Sequence, residues 1–190
     1  MGQYWQGGLL NVSAKVHKTK KSVKITDAVV EFSACAHDVG VGLKLMEHSW
    51  FTNRYVKLFV ERLSEKPARV VWAGDYGDKF TINGKQAYDY LGDNESKVAA
   101  DEKVGIFMPR YFINYDKKEF VDTIKGRAND YGLVVHPLPL LTANSNGLGS
   151  GDYYDENKYI GTWYADVIGA VDELPTDIEL TEIIPDFFED

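Results

Sequence analysis

The stretch from His136 to Asp166, HPLPLLTANSNGLGSGDYYDENKYIGTWYAD, gathers the residues whose types and spacing could do chemistry. Asn144, Asn146, Gly147, Gly149 and Gly151 fall within eight residues. Glycine and asparagine tolerate the positive φ that a β-carbon otherwise forbids. A loop with several such positions can turn successive backbone N–H groups into one concavity, which holds an anion or a phosphate without a side-chain charge. The competing reading is a hairpin loop whose glycines satisfy φ requirements and nothing more.

Further candidates lie at the ends of predicted elements, where a scaffold presents functional groups. They are His48 beside Glu47, the turn Trp72-Ala73-Gly74-Asp75-Tyr76, His136, and the Trp163 to Asp166 pair. His136 or His48 with Asp75 or Asp152 would make a general acid–base pair, because imidazole titrates near neutrality and a carboxylate fixes its tautomer. His136 before Pro137 reads equally as a structural histidine. Asp75, Asp78, Asp152, Asp155 and Asp166 are hard oxygen ligands suited to Mg²⁺ or Ca²⁺. No EF-hand, HExxH or P-loop spacing accompanies them, and aspartate beside glycine also serves turns and caps. Trp50, Trp72 and Trp163 read as core residues or as an aromatic wall for stacking a base.

The bounds on function come from composition. The chain has 190 residues, 44% of them hydrophobic, enough for one sizeable core and one domain. Lys plus Arg number 21 against 29 Asp plus Glu, a formal charge of -8, which argues against broad contact with a nucleic-acid backbone. Cys35 is the only cysteine, so no intrachain disulfide forms and a thiolate zinc site is excluded. No signal peptide or apolar run of membrane length is present, and Gln6 stands where N-myristoylation wants Ser or Thr. These features point to a cytoplasmic protein with no membrane attachment.

The elements that must position these residues are read from hydrophobic period. Leu10, Val12, Ala14 and Val16 alternate with polar residues, and Val23 and Ile25 follow HKTKK, which predicts a hairpin with a basic tip. Lys15, His17, Lys18, Lys20, Lys21 and Lys24 would form a phosphate or acidic-partner patch, or simply protect an edge strand. Val56, Phe59, Val60 and Leu63 at helical spacing predict a principal helix from about Asn53 to Glu65, stopped by Pro67. Arg69 to Ala73 predicts a short strand running into the GDYGD turn, and a short helix is expected around Lys85 to Leu91. Val104 to Asn114 reads as extended, followed by a YDKK hairpin turn. Leu133 to His136 reads as a strand whose extended course Pro137 and Pro139 continue, and Trp163 to Ile168 as another.

Seven islands carry a resemblance: MGQY at Met1 to Tyr4, GLKLMEHSW at Gly42 to Trp50, VVWAGDYGD at Val70 to Asp78, INYDKKEFVD at Ile113 to Asp122, HPLPLLTA at His136 to Ala143, NGLGSGD at Asn146 to Asp152 and IGTWYADVI at Ile160 to Ile168. On them the chain resembles a family of uncharacterised bacterial and phage proteins that begin Met-Gly-Gln-Tyr. Ser150 stands where such proteins usually have another glycine, and residues 5 to 41 depart from the family's shorter opening. The resemblance implies a phage or prophage context and no particular activity.

The fold expected is α+β, one mixed and mostly antiparallel sheet with one principal helix on a face, spanning residues 1–172. Residues 173–190 form an acidic tail that docks or stays partly disordered. The leading functional expectation is a module binding a phosphate-bearing small molecule or nucleotide through Asn146, Gly147, Gly149, Gly151 and Asp152, with Trp72, Asp75 and His136 nearby. An acidic protein that inhibits a host macromolecule is the alternative, and a metal-assisted hydrolase using Asp75, Asp152 and His136 the third. The pattern identifies no cofactor.

Overall fold

The computed structural model describes residues 2–98, 108–144, 152–153 and 158–188. In chain order the elements are β1 (Trp5–Leu10), β2 (Lys15–Lys18), β3 (Val23–Thr26), β4 (Val30–Cys35), α1 (Leu45–His48), α2 (Arg54–Glu65), β5 (Ala68–Gly74), β6 (Phe80–Ile82), β7 (Lys85–Gln86), α3 (Ala87–Asp93), β8 (Tyr111–Asn114), β9 (Glu119–Asp122), α4 (Pro137–Leu141), β10 (Val167–Val171) and β11 (Thr181–Glu182). The architecture is α+β, with the strands divided between two sheets. The larger has the order β11-β9-β8-β10-β5-β1-β4 and the smaller β2-β3-β6-β7. Pairing is antiparallel except between β11 and β9 and between β3 and β6.

Strand β5 shows why the larger sheet forms where it does. Its run Arg-Val-Val-Trp-Ala lacks polar alternation because both faces of the sheet are covered. Val70 and Trp72 face a core shared with Trp5, Leu9 and the α2 residues Tyr55, Val56, Phe59 and Leu63. Val71 and Ala73 face a second core formed with Leu10, Ile25, Ile82 and Leu91 beneath the smaller sheet and α3. Helix α2 starts where Asn53 caps it, its side chain accepting from Tyr55 N at 2.9 Å. It ends at Lys66, the residue before Pro67, whose extended φ of -154° matches what a following proline requires.

Two expectations are overturned. His136-Pro-Leu-Pro-Leu-Leu is a short helix rather than an extended segment, since Pro137 sits at the first helical position, where its fixed φ is favourable and the missing N–H is not needed. Pro139 is also within the first turn, where no intrahelical acceptor exists for an N–H. Trp163 to Asp166 is a turn, and strand β10 begins only at Val167. Ala165 is in the left-handed region at φ 62°, which a continuous strand does not allow.

The acidic C-terminal segment folds back onto the body. Ile183 N donates to the Phe120 carbonyl at 2.9 Å, Thr181 and Glu182 extend the larger sheet beside β9, and Phe187 and Phe188 are buried in the main core. Phe187 and Phe188 are therefore committed within the molecule, while Ile184 stays exposed. No described helix is long and apolar enough to cross a membrane.

Candidate functional site

Where β1 begins and β5 ends, several of the sequence candidates come together. Trp5 pairs with Gly74 across the two strands, and the Trp5 indole donates from Nε1 to Asp152 Oδ1 at 2.9 Å. Asp75 Oδ1 accepts from Tyr4 N at 3.1 Å, and Asp75 N donates to the Tyr4 carbonyl at 3.0 Å. Partial burial pushes the Asp75 carboxyl above its ordinary value, against the lowering effect of the Tyr4 N–H. Asn144 joins the same end: its Oδ1 accepts from Gly74 N at 3.1 Å, and its own N donates to the Trp72 carbonyl at 2.9 Å. Asn146, Gly147, Gly149 and Gly151, the core of the anion-cradle expectation, lie outside the described residues.

Trp72 and His136 are buried in the core. The Trp72 indole can only donate, and it donates from Nε1 to His48 Nε2 at 2.9 Å. The His48 proton is thereby confined to Nδ1, which donates to the Gly42 carbonyl at 3.0 Å. Burial lowers His48 to about 4, opposed by the Gly42 hydrogen bond. His136 caps α4, with Nδ1 accepting from Leu138 N at 3.1 Å. Its ring packs against Phe51 and Phe112, and burial lowers it to about 3. Both imidazoles are neutral at physiological pH, and each has a structural hydrogen bond. His136 packs against Phe112 of β8, two strands from β5 in the sheet. Among the described residues, no three His, Cys, Asp or Glu side chains converge to hold a metal ion.

At the other end of β5 the structure builds a site that sequence reasoning saw only in part. A cleft of about 750 Å³ separates the edge strand β2 from the β8–β9 turn, and its lining includes Lys15, Lys18, Arg69, Lys117, Asp116 and Asp166. Arg69 organises it: Nε donates to the Val12 and Ala14 carbonyls at 3.1 and 3.0 Å, and Nη1 to Asp116 Oδ2 at 2.8 Å and the Ala165 carbonyl at 3.0 Å. The strained Ala165 backbone thus presents an acceptor to the guanidinium. Asp166, buried, takes Lys18 Nζ on one oxygen and Asn114 Nδ2 on the other at 2.9 Å. Lys15, at the rim of the cleft, pairs with Asp27 at 2.8 Å on the exposed surface. The Lys117 ammonium makes no ion pair among the described residues.

Comparison with known proteins returned no relative. No family model matches the chain, no curated protein matches it, and no solved structure matches it.

The hairpin lysines were visible in the sequence as a basic tip, and Asp166 as a candidate oxygen ligand for a metal ion. Arg69 and Lys117 carried no signal. They meet the hairpin only because β10 inserts between β5 and β8, bringing the turn after Asn114 beside the start of β5 at Arg69.

Proposed function

We propose that the protein is a binding module for a phosphate-bearing small molecule or nucleotide, held in the cleft between β2 and the β8–β9 turn. One observation carries the reading: four cationic side chains against two carboxylates line a single cleft, in a chain whose net charge is -8. Arg69 and Lys18 are fixed by Asp116 and Asp166, so little side-chain entropy is lost when a ligand arrives. Lys117 supplies the unneutralised charge, and its ammonium suits a phosphate as a point charge.

The end of β5 near Asn144 is the weaker place for a phosphate. Asp75 and Asp152 are held there, and two carboxylates oppose an anion that only backbone amides would welcome. A histidine-based hydrolase finds little support, since both buried imidazoles serve the core. An inhibitor acting through the acidic tail finds little either, because Phe187 and Phe188 are buried in the protein itself.

The test is calorimetric titration with inorganic phosphate, AMP and ATP at low salt. Saturable heat that weakens as salt is added is the expected result. Lys117→Glu, on the surface, should weaken binding about tenfold or more, the equivalent of one charge-assisted hydrogen bond. An absence of heat at millimolar ligand overturns the proposal.

A further inference from the structure

We propose that the Gln3 carboxamide is a recognition group for a second, neutral ligand, one that presents a planar donor–acceptor edge such as an amide or a nucleobase edge. Gln3 is fully buried, and neither its Oε1 nor its Nε2 has a hydrogen-bond partner among the described residues. A primary carboxamide offers two donors and an acceptor in one plane. Burying all of them unmet spends hydration free energy with no return, so such groups in folded proteins are almost always satisfied. A methionine would fill the same volume without that cost.

The WAGDYG turn is shaped around the amide. Gly74 has no β-carbon, and one built there would collide with the Gln3 side chain; at Gly77 it would collide with the Asn144 side chain. The turn therefore seats two carboxamides side by side. That of Asn144 is tied to the main chain through Gly74 N. That of Gln3 has no partner among the described residues, although the backbone that follows it is fixed, by Tyr4 to Asp75 and by Trp5 N to the Leu43 carbonyl at 2.9 Å. A held backbone with an idle amide is the arrangement of a preorganised binding group.

The chemistry of the ligand follows from the neighbours. Asp75 and Asp152 disfavour an anion here, whereas a neutral amide or base edge meets Oε1 with an N–H and Nε2 with an acceptor, the bidentate match by which carboxamides read adenine. The Tyr76 hydroxyl donates to the Gly2 carbonyl at 3.4 Å beside it. Arg69 and Gly74 are five residues apart on β5, roughly 16 Å at about 3.3 Å per residue, so this site and the basic cleft take separate ligands. The inference does not rest on the phosphate reading.

The experiment follows the Gln3 side-chain amide resonance in ¹⁵N-labelled full-length protein, titrated with adenosine, nicotinamide and acetamide at millimolar concentrations. A saturable shift of that resonance with at least one probe is expected. Gln3→Met should abolish the probe's binding and unfold no earlier than the wild type in the absence of ligand. The proposal is overturned if no probe moves the resonance, if Gln3→Met loses several degrees of thermal stability or fails to fold, or if a high-resolution crystal structure shows ordered water meeting both amide atoms that no probe displaces. Phosphate titration of the same sample reads the basic cleft separately, so failure of one site leaves the other standing.

Discussion

Acid should unfold this protein through its two buried histidines. His48 is lowered from 6.5 to about 4 and His136 from 6.5 to about 3, both by burial, while in the unfolded chain both titrate at 6.5. The folded state therefore binds fewer protons than the unfolded state below 6.5. The two histidines cost no stability above that value, and stability is lost as pH falls from it toward the folded values. At about 1.4 kcal/mol per unit, the full penalty is about 3 kcal/mol for His48 and about 5 kcal/mol for His136. Near pH 5 neither is charged in the folded protein, and each has cost about 2 kcal/mol. The combined loss of about 4 kcal/mol there is a large part of a typical stability of about 5–15 kcal/mol. Urea unfolding followed by tryptophan fluorescence from neutral pH to about pH 4.5 reads the slope, which should approach about 2.7 kcal/mol per pH unit, the value for two protons. His136→Asn keeps a capping side chain at the start of α4 and removes one titrating group, so its slope should fall by about half. A wild type that loses less than about 1 kcal/mol between neutrality and pH 5, or a His136→Asn variant with the wild-type slope, would refute the reasoning.

Other perturbations have equally definite outcomes. Asn53→Ala removes the cap of α2 and should cost about 1 kcal/mol, read as a fall of about 2–4 °C in Tm for a chain of this size. Phe187→Ala opens a cavity in the main core and should cost about 3–5 kcal/mol in denaturant unfolding, an effect absent if the acidic segment were a free tail. Asp166→Ala leaves Lys18 and Asn114 without their shared carboxylate, and should lower amide hydrogen-exchange protection in β2 and β3 more than in β5. Trp5→Phe deprives Asp152 of its indole donor and should destabilise by about 1–3 kcal/mol in the same unfolding assay.

Helix α2 and strand β5 were legible because local pattern and tertiary role agree. Val56, Phe59, Val60 and Leu63 repeat at helical spacing and face one core, while Val70 to Ala73 are apolar without interruption because the sheet is covered on both sides. His136 to Leu141 misled because proline restrains the residue before it toward extended backbone yet also initiates helices; the His136 cap, which decides between them, is visible only as geometry. Trp163 to Asp166 has strand composition, and only the contacts of Ala165 N with the Val70 carbonyl and of its own carbonyl with Arg69 show why the chain turns there. The basic cleft was half legible. Lysines at a hairpin tip announce themselves, but Arg69 and Lys117 reach it through strand order, which no local window contains. Gln3 was invisible as a site, because a polar residue near a terminus ordinarily faces water.

With helix α2 on one side and the smaller sheet on the other, the larger sheet leaves its rims as the places where chemistry can change without repacking. A saturation library should then divide sharply along β5. Positions 70–73 should accept few replacements, whereas the β2–β3 turn at 19–22, exposed and held mainly by Thr19 and Ser22, should accept many. Variants that alter ligand choice would accumulate at the two extremities of that strand, leaving its middle nearly monomorphic.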